Sequence, residues 1–258
     1  MGAHPPQQTL RILTYNMRKG KGDHLSRKDQ TTLTQARAEI MAQAAPDLIF
    51  LQEAFHPHDG QAGQADGLAD QLGMYLAYTP NNSLAQGHYG NAILSRFPIT
   101  VWVNYNISTN RLEHRGALYA RVAWHGQNLH LINTHLGLNK RQRLTQVTHL
   151  RGVLDSHVPA QQPVIVAGDF NDWTGRLQAP IRRHLPLHDA LAHLHPRDRR
   201  TWHTRLPVFA LDRMYYSGLL PLEVQVMRNS AWQELSDHFP VQASFRALPV
   251  SANLPLAM

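Results

Sequence analysis

Hydrophobic residues run along this chain in short blocks, and most blocks stop at a polar side chain capable of chemistry. Residues 10–15 form the first block, a predicted strand. Residues 32–45 carry helical spacing in Leu33, Ala36, Ile40 and Ala44, and the helix stops at Pro46. Residues 47–52 are apolar without alternation, the pattern of a strand buried on both faces. The stretch 59–66 is rich in glycine and polar residues and reads as loop, followed by a short helix over 68–72. Strands are predicted over 91–95 and 101–107, parted at Pro98. Residues 117–124 and 129–134 form a hairpin around a four-residue turn, His125 to Asn128. A helix over 143–157 places Leu144, Val147, Leu150, Val153 and Leu154 on one face. Residues 163–168 are another buried-type strand, and 173–207 read as irregular apart from a short helix near 189–193. Strands over 211–216, 222–227 and 239–245 complete the set.

Helices set among many strands, half of them in hairpin order, predict two stacked sheets with helices outside rather than one parallel sheet. No linker and no repeat of fixed period interrupts the chain, and 258 residues suit one large domain. The expected organisation is an extended tail over 1–9, a single domain over 10–247 and a fraying, proline-bearing tail over 248–258.

Six polar clusters terminate these blocks: Asn16, Glu53, Asn133-Thr134-His135, Asp169 with Asn171, Asp212, and Asp237 with His238. In layered α/β structures strand ends are where ligands bind. Glu53 at the tip of a buried strand is a suitable ligand for Mg²⁺, which takes few carboxylates and retains waters; equally, it marks where solvent begins. Asn16 is placed to hold a metal-bound water or a phosphate, or to serve as a turn residue before Gly20. In Gly168-Asp169-Phe170-Asn171 the glycine allows close backbone approach, and alternate residues on an extended stub share a face, so carboxylate and amide converge on one ligand. A tight turn also accounts for them. His135 is the right type to donate to a phosphoryl oxygen, though in a chain with 17 histidines only its position singles it out. Asp237 and His238, being adjacent, point to opposite faces if extended. Asp212 is therefore the expected partner of His238, which frees Asp237 for metal.

The composition narrows the chemistry. With no cysteine, disulfides, thiolate zinc sites, iron–sulfur ligation and thiol nucleophiles are excluded, and a cytoplasmic location is expected. HExxH, Walker-type, GxGxxG and Gly-x-Ser-x-Gly patterns are absent. No segment approaches the ~20 apolar residues of a membrane helix. The formal charge of +7 comes mostly from dispersed arginines, densest at 18–21, 140–143 and 197–200. It fits a solvated basic surface or a phosphate-binding rim.

Taken in order, the stretches Thr14-Tyr15-Asn16, Leu51-Gln52-Glu53, Tyr89 to Arg96, Asn133-Thr134-His135-Leu136, Gly168 to Asn171, Leu211-Asp212 and Ser236-Asp237-His238 resemble the endonuclease/exonuclease/phosphatase superfamily, of DNase I type and in its small bacterial form. The resemblance implies a four-layer α/β sandwich: two mixed, mostly antiparallel sheets face to face, with helices on both outer faces. It implies Mg²⁺- or Mn²⁺-dependent phosphoester hydrolysis. By position, Glu53 is the principal metal ligand, with Asn16 and Asp237 close to the metal or its waters. Asp212 orients His238, Asp169 and Asn171 position the attacking water, and His135 donates to phosphate. Whether Asp169 or His238 takes the water's proton stays open. Arg115 and Asn91 are the substrate-side candidates, Arg115 reading equally as a surface residue at the hairpin. Arg213, after Asp212, departs from the aromatic, histidine or aliphatic residue common there.

Basic loops near Asn16 and His135 would suit nucleic acid, but no aromatic platform for stacked bases is evident beside them. Leu206-Pro207-Val208-Phe209 reads as an exposed apolar loop for a lipid surface or as a buried connection, the latter favoured. The expected substrate is a small or lipid-linked phosphoester, with a nucleic acid as the alternative and a catalytically silent phosphate-binding module as a third reading. A monomer without a stable protein partner is expected, with peripheral membrane contact open.

Overall fold

A computed structural model describes residues 9–20 and 30–248. The expected tails, apart from Thr9 and Leu248, lie outside the described residues, as does Lys21 of the first basic group.

The continuous apolar runs occupy the sheet centres, where both faces are covered. In β1 (Leu10–Asn16), Leu10 and Ile12 face the core between the sheets, while Leu13 and Tyr15 face the helices outside. β2 (Leu48–Pro57) divides the same way, Leu48 and Phe50 inward, Ile49 and Leu51 outward. β1 and β2 pair in parallel through the crossover helix α1 (Gln30–Ala44). The second sheet repeats the device: β7 (Gln127–His135) and β8 (Val164–Asp169) pair in parallel through α3 (Lys140–His157). The remaining strand pairs are antiparallel.

Around these centres the first sheet runs β11-β12-β1-β2-β4-β3, with β3 Tyr75–Leu84, β4 Gly87–Ser95, β11 Leu219–Val226 and β12 Val241–Ala247. The second runs β5-β6-β7-β8-β10-β9, with β5 Ile99–Asn106, β6 Gly116–Trp124, β9 His188–Asp189 and β10 Asp212–Ser217. α1, α2 (Gln64–Leu72) and α5 (Ser230–Leu235) cover the first sheet's outer face through Leu33, Met41, Leu68 and Trp232. α3 and α4 (Gln178–His184) cover the second through Val147, Leu150, Val153 and Ile181. The result is the expected four-layer α/β sandwich.

Local differences have local causes. The edge strand β3 escapes the apolar pattern because its outer half, Pro80 to Leu84, is polar and partly exposed, and pairing with β4 holds it. The hairpin turn is two residues, not four: His125 and Gly126 both take positive φ (47° and 80°), the primed-turn geometry that matches strand twist. α3 starts three residues earlier than expected. Asn139 caps it by accepting from Arg141 N–H at 2.8 Å, and Gln142 returns to Asn139 N–H at 2.9 Å. Leu144 of its expected apolar face is exposed. The irregular stretch contains α4, and the short helix expected near 189–193 is the two-residue β9 followed by a 3₁₀ turn over Ala190–His193.

Candidate active site

Three neighbouring strands of the second sheet end at one level. His135 is in register with Asp169 across the parallel pair, and Asp169 with Asp212 across the antiparallel one. Directly paired residues share a face, so imidazole and both carboxylates project together. Gly168 makes this possible. Its φ is 143°, and a Cβ there would lie 1.9 Å from the Thr134 carbonyl oxygen.

The first sheet supplies Asn16 and Glu53. β2 does not stop at Glu53 as expected. It continues to Pro57 through a bulge, with register shifting between Leu51 and Ala54 and Glu53 at φ 54°. A bulge re-aims a side chain, and a left-handed glutamate costs roughly 1–2 kcal/mol that the surrounding pairing must offset. Asn171 also takes positive φ (48°), which asparagine tolerates.

Asp169 is the most connected group. Its Oδ2 accepts from Asn16 Nδ2 at 3.0 Å and lies 3.4 Å from His135 Nε2 and 3.9 Å from His238 Nε2. Its Oδ1 accepts from Asn171 N–H at 2.9 Å. Asn171 Nδ2 in turn donates to Leu136 O at 2.8 Å. His238 Nδ1 meets Asp212 Oδ2 at 2.8 Å, so Asp212, not the adjacent Asp237, is the partner of the imidazole. One loop residue aligns this pair: Thr201 Oγ1 accepts from Leu211 and Asp212 N–H, and its carbonyl accepts from Phe239 N–H. Ser236 Oγ donates to Asn16 O at 2.8 Å, joining the Asp237-His238 loop to β1. Asp237 faces Arg18 at 3.5 Å and Trp202 Nε1 at 3.4 Å.

The charges follow from burial and neighbours. Burial pushes the Asp169 carboxyl up to about 6, partly countered by His238. Burial alone would depress the His238 imidazole, but Asp212, then Asp169 and Asp237, outweigh it and raise it to about 10. Burial, reinforced by Arg115, His238 and Lys19, holds His135 well below the usual imidazole range, hence neutral. Burial raises the Glu53 carboxyl as well, with Lys19 opposing. Among the described residues Glu53 accepts no hydrogen bond; its neighbours are Lys19 Nζ and His135 Nδ1, each at 4.0 Å.

These groups line one cavity of ≈ 350 Å³: Asn16, Glu53, His135, Asp169, Asn171 and His238 share it with Lys19, Tyr89, Arg115, Trp173 and Trp202. A larger groove of ≈ 520 Å³ between α3 and α4 holds one histidine and no carboxylate, so volume does not mark the site. Arg115 is no surface residue: its side chain is 10% exposed and grips Glu113 from within the cavity wall. Asn91 is not on the wall. Its amide donates to Gly116 O at 3.0 Å, in a buried tie between the sheets. Asn133 belongs to the same tie, donating to Leu51 O and Ala92 O and accepting from Gln52 Nε2, each at 2.8 Å. Arg213 is buried and paired with Asp189 at 3.4 Å.

Sequence reasoning missed Trp173 and Trp202, and took Lys19 only as part of a basic loop and Tyr89 only as the start of a matching stretch. Lys19 sits 4.6 Å over the Tyr89 ring, and Trp173 and Trp202 meet edge to face at 5.0 Å. The signal for the tryptophans was the place of Trp173, two residues beyond Asn171.

Carboxylates, amides and imidazoles thus converge in one cavity at the strand ends. The chain belongs to the Endonuclease/Exonuclease/phosphatase family, whose sequence model matches residues 13–238. That family is hydrolytic, generally divalent-metal dependent, and acts on phosphoester or nucleic acid substrates. The uncharacterized protein YbhP of Escherichia coli K12 is 31% identical over 248 residues, 92% of this chain and 96% of its own length. The family protein from Leptotrichia buccalis superposes with TM-score 0.74 at 19% identity, covering 91% of this chain and 98% of the other. A humanized D. rerio TDP2 gives 0.69 at 20% identity, covering 93% and 99%. No helix among the described residues is long and apolar enough to cross a membrane.

Two oxygen-rich groupings fit a divalent cation. Nitrogen or oxygen atoms of Asp169, Asp212 and His238 lie within 4.8 Å of one another. Glu53 offers the other: a desolvated carboxylate raised by burial, without a hydrogen-bond donor among the described residues, which a cation would relieve.

Proposed function

We infer that this protein is a Mg²⁺- or Mn²⁺-dependent phosphoester hydrolase acting on small or lipid-linked phosphoesters. The observation that carries this reading is the convergence, in one cavity, of Glu53 with the hydrogen-bonded set Asn16, Asp169 and Asn171 and with His238, which buried Asp212 holds. Glu53 would hold the cation, with Asp237 and Asn16 beside it. Asp169, Asp212 and His238 are assigned to proton transfer and phosphate contact, because Asp212 engages His238 Nδ1 and two carboxylates favour the charged imidazole. When bound, the cation supplies positive charge that polarises the phosphoryl group.

The residues do the rest. Asp169, held by Asn16 and Asn171, accepts the proton of the attacking water. The water oxygen bonds to phosphorus as the ester P–O bond opposite it breaks, and the leaving oxygen takes a proton from solvent. His238, kept charged by Asp212, and neutral His135 donate to the phosphoryl oxygens as charge develops there. Asn91, sealed between the sheets, supports the floor of the site instead of touching substrate.

A nucleic-acid substrate is the second reading, favoured by Trp173, Trp202 and Tyr89 on the cavity wall, where the sequence offered no aromatic platform. An assay panel separates the two. Bis(p-nitrophenyl) phosphate, phospholipid dispersions and nicked duplex DNA are each incubated with Mg²⁺, Mn²⁺ or chelator. Chelator-sensitive release from the first two substrates is expected; cleavage of DNA alone would replace this reading with the second, and inertness toward all three would remove both.

A further inference from the structure

We propose that the mouth of this cavity docks on an anionic phospholipid surface, through three loop tips that carry exposed aliphatic side chains beside cations. The proposal rests on the hydrolase reading only for its purpose, not for its geometry.

Leu112 and Leu138 both border the cavity, from the loop before β6 and the loop before α3, and are 95% and 60% exposed. The third tip belongs to the loop that brings Trp202 to the cavity, where Leu206 is 71% and Val208 43% exposed. That loop is folded, not loose: Leu206 N–H donates to His203 O at 2.9 Å and Val208 N–H to Trp202 O at 2.8 Å. Below the tip, Trp202, Trp173 and Phe209 pack ring against ring at 5.0 to 6.0 Å. The expected buried connection over Leu206 to Phe209 is thus only half right. Phe209 turns in, and Leu206 and Val208 turn out.

Exposed leucines are common singly, and single ones carry no message. Here two border one opening, a third tip belongs to a loop that reaches the same opening, and cations accompany them. Residues 109–115 and 138–141 hold Arg111, Arg115, Lys140 and Arg141 against a single carboxylate, Glu113, which Arg115 engages. Aliphatic tips flanked by Arg and Lys, with tryptophans one layer deeper, match the layering of a bilayer interface: acyl chains, headgroup phosphates, aromatic belt. A protein partner would need a contiguous apolar patch, whereas these side chains sit on separate loops. A nucleic acid would use the cations and leave the leucines in water. Docked in this way, the cavity would open onto headgroup phosphoesters.

The test is co-sedimentation of the full chain with vesicles of phosphatidylcholine alone or mixed with phosphatidylglycerol, at fixed salt and without divalent metal. Binding to the mixed vesicles is expected to exceed binding to phosphatidylcholine. It should fall at least about tenfold in Leu112→Asp/Leu138→Asp/Leu206→Asp, and about fivefold for each of Lys140→Glu and Arg141→Glu. Asp169→Ala should bind vesicles as the parent does. Three results would overturn the proposal: no preference for anionic vesicles, equal binding by the triple-leucine variant, or binding to an oligonucleotide at the same salt that depends on the cations but not the leucines. Retained hydrolysis of bis(p-nitrophenyl) phosphate with no vesicle binding would sink the docking alone; vesicle binding without any hydrolysis would sink the hydrolase reading alone.

Discussion

The two sides of the active-site cavity are built on opposite terms. On the second sheet, Asp169 is held by Asn16 and Asn171, and His238 by Asp212, which leaves Asp212 Oδ1 without a partner among the described residues. On the first sheet Glu53 is part-buried, 19% exposed; Lys19 Nζ and the neutral His135 Nδ1 each stand 4.0 Å away and no described donor reaches it. A part-buried carboxylate without a donor is costly. One side is therefore held largely by protein, and on the proposed reading a cation completes the other.

The largest expected effect breaks the partnered side. Asp169→Ala or His238→Ala should lower turnover by at least about 10²-fold, the low end of acid–base contributions, with circular dichroism unchanged; near-parental turnover in both would remove their assigned roles. Opening the sheet tie beneath the site comes next. Asn133→Ala removes the donors to Leu51 O and Ala92 O and one of the acceptors of Gln52 Nε2, so urea unfolding should show a loss of at least about 2 kcal/mol. A cost under half of that would mean the tie is not structural.

Glu53→Gln sharpens the unpartnered side. Removing its charge relieves desolvation, so the metal-free variant should melt no lower than the parent while losing the upward shift that Mn²⁺ gives. A retained metal-induced shift would place the cation elsewhere. The smallest effect concerns pH. His238 is raised from its ordinary 6.5 to about 10, so its contribution to stability is complete below 6.5 and is lost as pH rises through about 10. Asp212→Asn should lower the His238 pKa, read by NMR, and flatten the decline in stability between neutral pH and that point. An unmoved His238 titration would contradict the pairing.

How much of this could be read beforehand depended on what held each element. β1, β2, β7 and β8 were legible because burial on two faces leaves continuous apolar runs. β3 was not, since β4 holds an edge segment that contains Pro80 and two asparagines. α4 and α5 are short, and α4 buries little beyond Ile181. In the site, strand alternation excluded Asp237 as the partner of His238, and Asp212, which the resemblance also implied, was left. The sealed position of Asn91 did not, because an asparagine before an apolar run looks the same whether it faces a cavity or a neighbouring sheet. Glu53's bulge was equally invisible, being set by the register of β2 on β4. Trp202 reaches the cavity by a long loop whose course no local pattern encodes.

The central claim is that the cation belongs to Glu53, while Asp169 serves as base and His238, charged beside Asp212, contacts the phosphoryl group. Anomalous diffraction from crystals soaked in Mn²⁺ tests it most directly. The account predicts a peak coordinated by the Glu53 carboxylate, with the His238–Asp212 hydrogen bond intact. A peak seated among Asp169, Asp212 and His238, with Glu53 uncoordinated, would contradict it.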